Sequence, residues 1–411
     1  MRVRCNLITV LFWTVPVLLT LSISQFAKAA EWAARPSLRT GVEYNDNLQL
    51  TVQPHDSVRG YTIAPKLDLR VSSEIWQVIG SMEASRKRYP NNDNLNRDDQ
   101  SYDLTTSYRT ERSTWQLAGS RSETSTISEQ QITPDTGLVA VPIKYDSHSV
   151  TPSWSWAMNE LTQLQLSYSL VDVSYVNGQS AGLYDYSART ASAQLTNQIS
   201  MKNQIYFSAG YSIFNVPSTS FESKSAVYQA GVTRSFSETL RGTLGAGLRK
   251  TSIDQKIVVC TVYFGPDYCA QTGQVSESSD NTSSVFNGSL TKKYETVRFD
   301  LNVTREYNPS GSGVEVLTDS QSVNLGKKFT ARLSGNVSVN NYNYNPQPSD
   351  VAGIKRHYYA LATGLSWAWT RELNVNFRYR YGHIKRAIED QAAASNAVYL
   401  TLGYQWPKMI F

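Results

Sequence analysis

The chain has 411 residues, 39 of them Lys or Arg and 34 Asp or Glu, for a formal net charge of +5. So balanced a chain lacks the concentrated basic charge of a nucleic-acid binder. Past the N-terminal segment no apolar run approaches the roughly 18 uninterrupted residues of a transmembrane helix, so any membrane crossing falls to strands.

The N-terminal segment reads as a secretory leader. Arg2 and Arg4 precede an apolar run over residues 7–23, and Ala27-Lys28-Ala29 is a small-x-small site that places cleavage near Ala30. The run nears bilayer-spanning length, but Pro16 and the cleavage site favour removal over an anchor. Cys5 precedes the apolar core and is not a lipoprotein acceptor. Residues 1–29 are expected to be a signal peptide and residues 30–411 a single domain of about +2 net charge.

From residue 37 onward the chain alternates with a period of two. Leu164, Leu166, Tyr168 and Leu170 share one face, and Gln163, Gln165, Ser167 and Ser169 the other. Val297, Phe299, Leu301 and Val303 oppose Arg298, Asp300, Asn302 and Thr304; Leu373, Val375, Phe377, Tyr379 and Tyr381 oppose Asn374, Asn376, Arg378 and Arg380. Near the end, Val398, Leu400, Leu402, Tyr404 and Trp406 again share a face. A soluble β-sandwich alternates too, with its apolar face packed dry.

The connections favour a membrane barrel. Eight tight turns are expected near Ser73, Glu111, Asn159, Met201, Glu238, Glu295, Thr330 and Arg371, several with an aromatic followed by a polar turn containing Glu. They alternate with nine longer polar connections near residues 45–58, 90–98, 127–144, 176–183, 217–222, 252–280, 308–318, 341–356 and 385–396. Short turns on one side and long loops on the other describe an antiparallel up-and-down outer-membrane β-barrel of about eighteen strands with both termini in the periplasm. Trp76, Trp115, Trp154, Trp156, Trp367, Trp369 and Trp406 lie near the short turns, and Tyr44, Tyr89, Tyr175, Tyr307, Tyr342 and Tyr381 near the long loops, as two aromatic girdles would. The first strand, expected at residues 37–44, follows the cleavage site too closely for a plug domain. So wide a barrel holds water unless loops fold inward.

If the apolar faces meet lipid, the lumen receives Lys66, Arg70, Lys87, Arg109, Arg241, Arg249, Arg298, Arg332, Arg378 and Arg380 against Asp68, Glu83, Asp103, Asp300 and Glu306. This excess would favour anions, unless opposite charges pair into ladders along the wall. Cys260 and Cys269, both in the longest expected loop, are expected to form a disulfide in the oxidising periplasm; no histidine lies nearby to complete a metal site with them. His55, His148, His357 and His383 are scattered, and no nucleophile elbow, zinc-protease motif or P-loop occurs, so neither an enzyme nor a cofactor is expected. The terminal Phe411 suits delivery to the barrel-assembly machinery. Counted back in twos, however, it falls off the apolar face, and a bulge at Pro407 would restore it.

The opening Arg35-Pro36-Ser37-Leu38-Arg39-Thr40-Gly41-Val42-Glu43-Tyr44-Asn45-Asp46-Asn47-Leu48 resembles the first strand of the putative β-barrel porin type 2 family, as do the length, the Tyr-, Arg- and Ser-rich strands and the terminal Phe. The resemblance implies an outer-membrane barrel associated with production or export of an extracellular polysaccharide, with lipid, lipopolysaccharide and periplasmic export components as partners. Two other readings stand beside it: a general, anion- or oligosaccharide-selective porin, and a surface adhesin or structural barrel.

Overall fold

A computed structural model describes residues 30–52, 55–127, 141–263, 269–347, 355–386 and 392–411, with the side chains of 256–272, 274 and 277 excepted. The expected signal peptide lies outside the described residues. The strands are β1 (Glu31–Asn45), β2 (Val58–Ser72), β3 (Trp76–Arg88), β4 (Arg97–Arg109), β5 (Ser113–Ser125) and β6 (Lys144–Ala157). Then follow β7 (Thr162–Tyr175), β8 (Tyr186–Gln198), β9 (Asn203–Val216), β10 (Phe221–Ser235), β11 (Leu240–Tyr263) and β12 (Cys269–Lys293). The circuit is completed by β13 (Val297–Pro309), β14 (Glu315–Lys328), β15 (Leu333–Gln347), β16 (Arg356–Ala368), β17 (Leu373–Arg386), β18 (Ala392–Gln405) and the short β19 (Met409–Ile410). From β1 to β18 each strand pairs antiparallel with the next, and β1 also pairs with β18 and, at its start, with β19. The sheet is therefore a closed eighteen-stranded barrel, and closure leaves no edge to solvate.

The turn chemistry recurs around one rim. Asn159 Oδ1 accepts from the Leu161 and Thr162 amides (2.9 and 2.8 Å), Thr330 Oγ1 from Arg332 and Leu333 (3.2 and 2.9 Å), and Thr370 Oγ1 from Glu372 and Leu373 (3.1 and 3.0 Å). Such side-chain-to-backbone bonds stand in for ladder bonds where the strands end.

Inside and outside follow from burial. Glu43 and Lys87 are buried although nothing covers the outer face, so their positions face inward, and the register carries that parity round the wall. The outward positions of β3 then read Trp76, Val78, Gly80, Met82 and Ala84, followed by Arg86 and Arg88. Residues 76–84 suffice for a tilted crossing of the roughly 25 Å apolar band of a barrel. Trp115 stacks on Trp154 (5.4 Å), Trp154 on Trp156 (5.9 Å) and Trp367 on Trp369 (5.6 Å), all beside short turns. A closed barrel with this exterior sits in the bacterial outer membrane, its apolar side chains against acyl chains.

Three expectations need correction. Tyr89, Tyr175 and Tyr342 do not belong to the outer girdle: the first two are buried and the third half-buried, all on inward positions, whereas Tyr44 and Tyr381 point outward. The expected loop over residues 252–280 is instead the paired extension of β11 and β12. Its register sets Cys260 opposite Thr272 and Cys269 opposite Tyr263, and the expected disulfide falls on side chains outside the described residues. The first strand begins at Glu31 rather than Ser37.

At the C-terminus Ser37 pairs with Gln405 but Ala34 with Met409, a shift of one residue across Pro407. The Phe411 amide bonds to the Trp32 carbonyl (3.0 Å), which returns the terminal ring to the lipid side.

Candidate functional site

The inward face divides into sectors of different charge. On β1–β4 acids and bases alternate and pair: Lys87–Glu43 (2.5 Å), Arg39–Glu83 (2.6 Å), Lys66–Asp68 (3.0 Å) and Arg97–Asp99 (3.2 Å). The described inward positions of β5–β10 carry no charge. Hydroxyls tie them together, Ser167 to Ser192 at 2.7 Å, Ser120 to Ser149 at 2.8 Å and Thr151 to Ser169 at 3.1 Å. Charge returns on β11–β14 with Arg298–Asp300 (2.6 Å) and Arg249–Glu315 (2.5 Å).

On β15–β18 no Asp or Glu occurs at all, yet Arg356, Arg378, Arg380 and Arg386 occupy inward positions. Arg380 donates to the Tyr358 hydroxyl (2.5 Å), Arg378 stacks on the Tyr399 ring (4.4 Å) and Arg386 donates to the Leu50 carbonyl (3.2 Å). Each of these contacts holds its guanidinium against the wall in a fixed orientation.

Of the ten basic residues expected in the lumen, Lys66, Arg70, Lys87, Arg249, Arg378 and Arg380 occupy inward strand positions, while Arg109, Arg241 and Arg298 share that parity at the short-turn ends. Arg332 lies off the strands, in the turn between β14 and β15. Glu43 and Arg39 were legible as inward-facing residues, though not their partners, from the alternation of the first strand. Arg356 and Arg386 were not, because both fell in stretches read as loop.

The long-loop end is filled from within. In the β1–β2 connection Leu50, at φ 48°, packs with Val316, Tyr344, Tyr358, Ala360, Ile384 and Ala393. Leu48, Val58, Tyr89, Leu95 and Ile127 form a second cluster. A third joins Val173, Tyr175, Leu183, Tyr186, Phe214, Val216, Phe221 and Ile253, with Val314 against it. The β13–β14 connection crosses to the β7–β8 connection, where the Tyr184 amide donates to the Gly311 carbonyl (2.7 Å). These inward folds narrow the outer mouth, as apolar burial holds them against the wall.

None of the known protein-family models matches the chain, and no curated protein matches it. Several solved outer-membrane proteins are similar to it over most of its length. The Acinetobacter baumannii protein OccAB4 is 11% identical, with 93% of this chain and 99% of that chain covered at a TM-score of 0.48. Pseudomonas aeruginosa OccK2, solved with glucuronate, is 11% identical, with 91% and 97% covered at 0.47. The ferric-catecholate import receptor Fiu of Escherichia coli is 8% identical, with 90% and 81% covered at 0.45.

Proposed function

We propose that the protein is an outer-membrane pore through which small anionic solutes cross. The observation that carries this reading is the composition of the sector β15–β18, whose strands contain no Asp or Glu while Arg356, Arg378, Arg380 and Arg386 occupy inward positions. A one-sided cationic wall concentrates anions near it and repels cations. The narrowed mouth favours small solutes over the polymer that the sequence resemblance implies. Purified barrels in planar bilayers under a KCl gradient should give a reversal potential of anion-selective sign. Arg378→Glu with Arg380→Glu should move it toward cations, and an unmoved potential would refute the assignment.

A further inference from the structure

We infer that the short-turn rim of β10–β15 binds anionic phospholipid headgroups of the periplasmic leaflet, whatever the lumen carries. A tripeptide pattern recurs there at every second strand: Arg234-Ser235-Phe236 straddles the end of β10, Lys292-Lys293-Tyr294 that of β12 and Lys327-Lys328-Phe329 that of β14. By register the cation and the ring of each face outward, toward lipid. In all three the cation lies over its ring, at 5.5 Å for Arg234 on Phe236, 5.0 Å for Lys292 on Tyr294 and 5.6 Å for Lys327 on Phe329. Two of the rings lie back across a glycine of the following strand: a β-carbon at Gly242 would be 3.1 Å from Phe236 Cε2, and one at Gly335 2.8 Å from Phe329 Cε2.

Each cation stands two residues deeper in the membrane than its ring, so its stem runs back over the ring toward the headgroups. At the equivalent position on β4, β6, β16 and β18 stand Thr106, Trp154, Trp367 and Tyr404, so the cations belong to this sector alone among the described even strands with a terminal ring. Strands two apart set neighbouring cations roughly 10 Å from each other, in a row along the membrane surface. No Asp or Glu holds an outward position on the short-turn halves of β10–β15, and the one further bond, from Lys292 Nζ to Thr239 Oγ1 (2.9 Å), goes to a neutral group. Lys293, Lys328, Arg241 and Arg332 add positive charge beside the row, against Glu238 and Glu295 in the turns. Phosphate is the anion that meets such a row at this depth, because acyl chains already cover the wall beneath it. A periplasmic protein would meet the turns and not the outward face.

The test is native mass spectrometry of the purified barrel in detergent micelles, titrated with phosphatidylglycerol or with phosphatidylcholine, which shares the phosphate but has no net charge. Phosphatidylglycerol should half-saturate at a concentration at least about tenfold lower. Arg234→Gln with Lys292→Gln and Lys327→Gln should remove that preference, and each single variant should lose part of it. Phe236→Leu with Phe329→Leu, which keeps every cation but frees it from its ring, should weaken the preference by less. Arg59→Gln with Arg189→Gln removes two outward cations at the opposite rim and should leave it unchanged. Each variant is first checked for the heat-modifiable gel mobility of a folded barrel, and the single variants carry the test where the triple one does not fold. Equal retention of the two lipids overturns the inference, as does a preference that survives the glutamine variants or falls as far in the opposite-rim control. Retention of polyglutamate in place of phosphatidylglycerol would assign the rim to an acidic polypeptide and overturn it too.

Discussion

Tyr206 on β9 reaches across two strands to donate its hydroxyl to Asn287 Oδ1 on β12, at 2.9 Å. It can do so because the inward positions beneath it on β10 and β11 are Gly231 and Gly245, where a β-carbon would overlap the ring and its hydroxyl. Four strands are thereby clasped on the luminal side by one side chain.

The clasp predicts that Gly245→Ala destabilises the barrel by about 1–3 kcal/mol, the usual penalty for overpacking. Denaturant titration in detergent micelles, read by heat-modifiable mobility, measures it. Adding Tyr206→Ser to Gly245→Ala should recover part of the loss, because the ring's overlap disappears while Asn287 Oδ1, 2.5 Å from the same β-carbon, remains. Equal loss in single and double variants would count against the clasp.

The strand count and the tight turns were readable because side chains alternate faces with a period of two and the turns carry Ser, Thr or Asn that cap strand ends. Which face a tyrosine joins was not. Tyr44 and Tyr89 both stand at strand ends near long loops, and only the register shows one meeting lipid and the other buried under Leu48 and Leu95. The extension of β11 and β12 was read as loop because past the membrane neither face touches acyl chains, so polar residues such as Ser276, Ser278 and Ser279 occupy both parities. The Lys87–Glu43 pair joins residues far apart in sequence, which alternation alone cannot match.

That pair yields a second prediction. Both side chains are 3% exposed, so Lys87→Met leaves the Glu43 carboxylate buried beside Tyr89 without its cation. Breaking one side of a buried ion pair costs about 3–5 kcal/mol, and replacing both sides with apolar groups costs much less. Lys87→Met with Glu43→Leu should therefore be more stable than Lys87→Met alone in the same denaturant titration. A double variant no better than the single would show that the pair matters for packing rather than charge.

Gly60 gives a third. Its β-carbon would lie 2.8 Å from Tyr89 Cε1 and 3.1 Å from Glu43 Oε1, so Gly60→Ala must displace a ring that the cluster around Leu48 and Leu95 holds in place. The expected cost is about 1–3 kcal/mol. Gly326, where a β-carbon would meet nothing within 4 Å, is the control: Gly326→Ala should change stability by well under that amount.

The last prediction concerns the mouth. Glu315, at the start of β14, is buried where Arg249 Nη2 and the Ser223 hydroxyl meet its two oxygens at 2.5 and 2.9 Å, and Arg249 also donates to Ser225 and Thr251. These bonds anchor the β13–β14 connection to the wall at β10 and β11, while Gly311 at its tip abuts the Tyr175 hydroxyl and bonds the Tyr184 amide. Glu315→Gln keeps the shape but removes the charge, and with it the strong member of the anchor. Arg249 is then left buried without a counter-ion, so the connection should swing away from the wall more often. In planar bilayers the expected outcome is a larger or noisier single-channel conductance, and Gly311→Ala, which pushes the tip off Tyr175, should act in the same direction. Conductance identical to the parent in both variants would mean that this crossing does not limit the path.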